Sequence, residues 1–169
     1  MVGRAHGARL AGLEQAVWRT LAGVPDPEIP ILSVVDLGIV RFVRCRPQGL
    51  HVGITPTYSG CPATEVIEQC IRRALDEAGY PGAVLEQVLA PPWTSDWLTA
   101  EARAKLLQFG VAPPADPVSN PRRLLGAHVA CPRCGSSSTR QVSEFGSTPC
   151  KAHYQCEACL EPFDYFKCI

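Results

Sequence analysis

The stretch "TPTYSGCPATEVIEQC", residues 55–70, changes its period in the middle. Up to it, "LHVGIT" (50–55) alternates Leu50, Val52 and Ile54 against His51, Gly53 and Thr55, the pattern of a half-buried strand. From Pro62 onward Ala63, Val66, Ile67, Cys70, Ile71, Ala74 and Leu75 recur at helical spacing. A strand thus gives way to an amphipathic helix, which "AGYPG" (78–82) ends. Gly60 permits a sharp turn and Pro62 suits the first helical position, so Cys61 falls where the N-cap is expected. Unsatisfied amides and the positive end of the helix dipole favour a thiolate there, and a thiolate is a nucleophile or a soft-metal ligand. The plain alternative is a small apolar residue that only caps the helix. Cys70, on the apolar stripe, is expected in the core.

Upstream, Leu10, Leu13, Val17 and Leu21 predict a helix over 8–22, stopped by the three prolines of "VPDPEIP" (24–30). "ILSVVDLGIV" (31–40) and "RFVRCR" (41–46) look strand-like, with a turn near Asp36 and Gly38; the latter forms a hairpin with 50–55. Downstream, "AVLEQVLA" (83–90) reads as a third strand, apolar at Val84, Val88 and Leu89. A helix is expected over 99–109, with Thr99 as N-cap and Gly110 as its stop. Residues 111–127, with four prolines and no period, read as a semi-rigid linker. The expected organisation is an α/β (α+β) domain over 1–110, the linker over 111–127 and a small module over 128–169.

The 169 residues carry 16 basic and 16 acidic side chains, a formal net charge of zero that gives nucleic acid no basic surplus to bind. Arg4 and Arg9 interrupt the first residues, so no signal peptide is expected, and no stretch is long and apolar enough to span a membrane. The expected compartment is the cytoplasm. There nine cysteines point to metal binding or reactive thiols rather than a disulfide framework.

Six of those cysteines fall in 131–168. "CPRC" (131–134) and "CEAC" (156–159) form two Cys-x-x-Cys pairs, the spacing of one tetrahedral zinc held by Cys131, Cys134, Cys156 and Cys159. Gly135 lets backbone amides turn toward the sulfurs. Strand-like "TRQVSEF" (139–145) and "AHYQC" (152–156) complete a zinc ribbon. Four thiolates leave zinc no open position, so the role is structural: so few residues rarely build a sufficient core without a staple. Iron at the same four sulfurs is the rival. Cys150 and Cys168 are left over as spare ligands, reactive thiols or bystanders, and Cys45 is assigned no role. Four basic residues in 131–169 face four acidic ones, which again argues against nucleic acid.

His51 and Asp36 are candidate bases for Cys61, although no Cys/His enzyme signature surrounds them. Asp26 and Glu28 place two carboxylates in a proline-stiffened loop, as ligands, partner contacts or solvated turn acids.

"DPEIPILSVVDLGIVR" (26–41), "TPTYSGCPATEVI" (55–67) and "PPWTSDWLTAEARAKLLQFGVAPP" (91–114) together resemble the MIP18 (DUF59) family of iron-sulfur assembly factors. The tail, residues 131–168, is similar to the one carried by the D subunits of bacterial phenylacetyl-CoA epoxidase systems, which serve aerobic phenylacetate degradation. The resemblance implies a small mixed sheet covered by helices, with Cys61 as the reactive cysteine that handles iron or a cluster in transit. Asp36 matches the family's Asp-Leu-Gly segment, and Asp26 and Glu28 its acidic loop. It also implies an accessory, non-catalytic subunit whose partners are the diiron oxygenase and the flavin and iron-sulfur reductase. The chain lacks paired Glu-x-x-His helices, a Gly-rich dinucleotide loop and ferredoxin cysteine spacing, so it is neither of those two. Three functions stand open: a maturation factor acting through Cys61, an adaptor docking through its ribbon, and a thiol enzyme. A free sheet edge leaves room for a homodimer.

Overall fold

A computed structural model describes residues 2–58, 60–114 and 129–167, with backbone alone for 2–9. Most of the expected linker and Cys168 lie outside the described residues. The chain divides into two compact units, 1–93 and 94–169.

In the first unit, α1 (Val2–Leu21) starts earlier than the periodicity predicts and buries Val17 and Leu21 completely. It packs on β1 (Val40–Arg46) and on α2 (Thr64–Glu77). β1 runs antiparallel to β2 (Gly49–Ile54), with Val43 opposite Val52, and β3 (Val84–Gln87) runs parallel to β2. The helix between β2 and β3 supplies the crossover that a parallel pair requires. Val43 and Val52 are buried in the sheet, and Ile67, Ile71 and Leu75 are the buried residues of α2. Each fully buried Leu or Ile contributes about 2 kcal/mol. Val66 is 45% exposed and Cys70 only half-buried beside Arg73, so the buried stripe is narrower than the sequence suggests. Two further corrections fall on apolar positions: Val84 and Leu89 are exposed.

Residues 24–39, expected in part as a strand, are a folded loop. Pro25 bridges Ser33, and Val34 donates to Val24 O. Ser33 and Asp36 cap one another: Asp36 Oδ2 accepts from Ser33 N at 2.9 Å, and Ser33 Oγ accepts from Asp36 N at 3.0 Å. This is the reciprocal logic of a capping box, and it leaves 31–39 with turns in place of strand. The buried Trp93 indole donates to Leu37 O at 2.8 Å, which anchors the loop to the end of the unit.

The second unit opens with a single 3-10 turn (Ser95–Trp97) and α3 (Ala100–Phe109). Thr99 Oγ1 accepts from Ala102 N at 3.0 Å and Gly110 stops the helix at φ 86°, both as expected. Arg103 donates to Pro114 O at 2.6 Å and to Ser95 O at 3.1 Å, tying both flanks to the helix. Val111–Ala112 (β4), expected as linker, is a strand parallel to β7 (Pro162–Phe166). β7 itself extends the expected hairpin of β5 (Thr139–Ser143) and β6 (Lys151–Cys156), giving the order β4-β7-β6-β5. α3 and β4 therefore belong with the ribbon, which differs from the partition at residue 110 that composition suggests.

Gly53 lies under the Phe42 ring on the other face of the first sheet, where the Arg44 guanidinium stands 4.7 Å from the ring centre. A methyl group at Gly53 would overlap that ring. Gly53→Ala is therefore expected to cost about 1–3 kcal/mol through displacement of Phe42. A shift of the denaturant midpoint with unchanged m-value checks this; an unchanged midpoint would contradict it.

Candidate metal centre and the Cys61 loop

The four ribbon cysteines come together as the spacing predicts. Their sulfurs all lie within 4.8 Å of one another, and among the described residues they are the one group of three or more His, Cys, Asp or Glu side chains so placed. Cys131 and Cys159 sulfurs are 3.8 Å apart, Cys134 and Cys156 sulfurs 3.6 Å. A tetrahedron with metal–sulfur bonds of about 2.3 Å has edges of about 3.8 Å, so the donor set fits a zinc-sized ion. Two similar turns present the thiols. Cys131 N donates to Ser136 O and Cys156 N to Glu161 O, both at 2.9 Å, while Cys159 N points at Cys156 Sγ at 3.5 Å. Cys131 and Cys156 are buried, and Cys134 and Cys159 face solvent.

Electrostatics around the sulfurs are uneven. The Cys159 amide, joined by that of Ala158 and opposed by desolvation, pulls the Cys156 thiol down to about 7. The Glu161 backbone favours a Cys159 thiolate, but desolvation and the neighbouring thiols outweigh it and push that group up to about 12. Cys134 is also raised: hydrogen bonds from Ser136 and Cys159 lower it, but the thiols of Cys156 and Cys131 and desolvation outweigh them. The four-sulfur set thus favours a thiolate at Cys156 and the protonated thiol at Cys134 and Cys159.

Behind the sulfurs lies a small core of Ala112, Val129, Ala152, Tyr154, Phe163 and Tyr165 with the two buried cysteines. Tyr154 stacks on Phe163 at 5.9 Å and meets Tyr165 edge-on at 5.6 Å. Lys151 is buried, its ammonium 3.7 Å from Asp164, which also faces His153 at 3.3 Å. Cys150 is buried with its sulfur 3.0 Å from Thr148 Oγ1, away from the four-thiol group. The residue after the second cysteine of each turn is left-handed: Gly135 at φ 74° and Leu160 at φ 62°. Glycine adopts that conformation freely, whereas a leucine there costs roughly 1–2 kcal/mol.

Cys61 sits in the loop between β2 and α2, 9% exposed. Gly60 makes the turn at φ 82° as expected. The cap itself is shifted: Ala63 is the N-cap of α2 and Cys61 lies two residues before it, its carbonyl accepting from Thr64 N at 3.2 Å. Pro62 thus sits inside a closing turn that precedes the helix rather than in its first position.

The other sequence candidates do not join Cys61 in a ligand cluster. Asp26 is buried, and its Oδ1 accepts from Glu28 N at 2.9 Å and Ile29 N at 2.8 Å, so it shapes the proline loop. Glu28 is half-buried in the same loop. Asp36 is the Ser33 partner described above. His51 turns to the sheet: its Nδ1 is 2.5 Å from Glu86 Oε1, and Arg46 donates to the same oxygen at 2.7 Å. Those hydrogen bonds, His51 first, hold the Glu86 carboxyl below its ordinary range against desolvation. The cross-strand triad escapes sequence reasoning because Glu86 becomes a neighbour only through the parallel register of β2 and β3. The edge of β1 carries another unforeseen contact, Glu14 Oε1 accepting from Cys45 N at 2.9 Å, which occupies an edge amide. Burial and that carboxylate raise the Cys45 thiol, so it is not an activated nucleophile.

Comparison with known proteins matches this architecture. The iron-sulfur cluster assembly protein family model matches residues 14–90, and the PaaD zinc beta ribbon domain model matches residues 115–167. The protein of Escherichia coli (strain K12) that is named the D component of a "Putative 1,2-phenylacetyl-CoA epoxidase" is 49% identical over 153 residues, 90% of this chain and 92% of that one. The chain belongs to this family of epoxidase D components. The family's first unit is shared more widely: the Fe-S protein maturation auxiliary factor YitW of Bacillus subtilis (strain 168) is 32% identical over 96 residues, 56% of this chain and 93% of the relative. A crystal structure of a DUF59 domain from Bacillus anthracis shares the fold, with a TM-score of 0.55 at 23% identity, covering 59% of this chain and 96% of that chain. The expected MIP18/DUF59-like α/β fold and the ribbon are thereby established.

Removing the metal with a chelator is expected to unfold the ribbon, because metal binding supplies on the order of 10 kcal/mol to such a module. The near-ultraviolet signal from Tyr154 and Tyr165 should vanish while the far-ultraviolet helical signal of α1 and α2 persists; an intact tyrosine signal would contradict the staple. Metal uptake near neutral pH must expel the protons held on Cys134 and Cys159, so affinity is expected to fall on acidification. A pH-independent affinity would contradict the thiolate assignment.

Proposed function

We propose that this chain is a maturation factor for a multicomponent phenylacetyl-CoA epoxidase of aerobic phenylacetate degradation. In this reading Cys61 holds iron or an iron-sulfur unit in transit, and a structural zinc closes the ribbon through Cys131, Cys134, Cys156 and Cys159. The observation that carries it is the division of thiols within one chain: a closed four-sulfur set in one unit, and in the other a single cysteine on the loop before α2 of an iron-sulfur assembly domain. A lone thiolate cannot satisfy iron, so in the isolated chain a second copy supplies the remaining ligands and at hand-over the client replaces it. That incompleteness suits hand-over rather than storage. Asp26, Glu28 and Asp36 keep an assisting role, Asp26 and Asp36 by holding the 24–39 loop through its backbone amides. The clients are the diiron oxygenase and its reductase, and the compartment is the cytoplasm, where these thiols stay reduced. The names of the relatives support the pathway and the cargo class.

A second reading, a structural adaptor that docks the oxygenase complex through its ribbon, draws on the absence of any ligand cluster around Cys61 among the described residues. Cells that express the other epoxidase subunits separate the two. Maturation predicts that Cys61→Ser lowers epoxidase activity and the iron content of the client subunits to the level of cells lacking the chain. Full activity with Cys61→Ser, lost only when residues 128–169 are deleted, would hand the case to the adaptor.

A further inference from the structure

The two thiol turns of the ribbon make the same demand on the backbone and meet it with different residues. Matching hydrogen bonds close them, Cys131 N to Ser136 O and Cys156 N to Glu161 O. The position after the second cysteine is left-handed in both, and the first turn fills it with Gly135, which is free of side-chain conflict there. The second fills it with Leu160, the one residue other than glycine with positive φ among the described residues. The strain is not returned by packing, because Leu160 is 68% exposed. Ala158 and Pro162, also exposed, extend the apolar tip. Two carboxylates flank it: Glu157, which accepts from Ser138 Oγ at 2.8 Å, and Glu161, 3.4 Å from the Arg133 guanidinium. A strained, exposed leucine at a turn that would fold more easily with glycine is kept for something outside the unit.

We propose that Leu160 is the anchor by which the second thiol turn docks an oxidoreductase client, inserting into an apolar pocket whose rim is basic to complement Glu157 and Glu161. This rests on the proposed function, since the client is a member of the epoxidase system. A single leucine projecting from a metal-stapled turn is rigid before it binds, so little ordering entropy is lost on docking. The surrounding carboxylates would set orientation and association rate more than affinity.

The test uses the full metal-loaded chain and the purified oxygenase and reductase subunits, with binding measured by calorimetric titration for wild type, Leu160→Gly and Leu160→Asn. Both replacements tolerate the left-handed backbone, so the ribbon is expected to keep its metal and to melt no lower than wild type, with Leu160→Gly higher by a few degrees. Both are expected to bind the client roughly ten-fold or more weakly. Leu160→Gly binding as wild type does, or melting well below it, overturns the anchor while leaving the maturation reading standing. A wild-type chain that binds none of these subunits overturns both. If sedimentation shows a wild-type dimer that Leu160→Gly dissolves, the occupant is a second copy and the client assignment falls.

Discussion

Four cysteine sulfurs lie within 4.8 Å of one another, and as thiolates they would repel strongly unless a cation sat at their centre and tied the two turns together. The strands of the ribbon are arranged around that set. Cys131 and Cys156 are themselves members of the eight-residue core, so the metal site and the hydrophobic cluster are one structure rather than two. β6 ends on Cys156, β5 begins opposite it with Thr139 paired to Cys156, and β7 leaves the second turn. Without an ion the two cysteine turns would rest on the small cluster around Tyr154, which favours a metal staple for the ribbon.

The first unit solves the opposite problem. Its apolar side chains are sufficient, with Val17, Leu21, Ile71, Leu75 and Val52 fully or almost fully buried, and its polar groups are committed to loops. Asp26 caps one turn, Ser33 and Asp36 cap each other, and Trp93 fastens the result. Cys61 is buried just after the bend that Gly60 makes, and its backbone closes the turn before Ala63, the N-cap position of α2.

The sequence was legible where structure is local. Thr99 and Gly110 bracket α3 because capping depends on a few adjacent residues, and two Cys-x-x-Cys turns declare a metal site by spacing alone. The β1–β2 hairpin, by its alternation, belongs to the same class. What escaped depends on distant partners. β4 is two residues long and exists only because β7 pairs with it, and Glu86 meets His51 only through sheet register. The carboxylates of 24–39 also turn on local backbone: Asp26 accepts from Glu28 N and Ile29 N, and Asp36 from Ser33 N in a capping pattern that the sequence carries as Ser33-x-x-Asp36. The Cys61 loop was located correctly while its cap was not, since a closing turn before the first helical hydrogen bond leaves no trace in composition.

Two different fates for thiols in one chain are the core of the proposed function. Metal and acid-labile sulfide per chain, measured on anaerobically prepared wild type and Cys61→Ser together with their visible spectra, address it most directly. The expected result is about one zinc in each protein and iron in wild type alone. Iron taken up equally by both proteins, or by neither even after reconstitution, would contradict it.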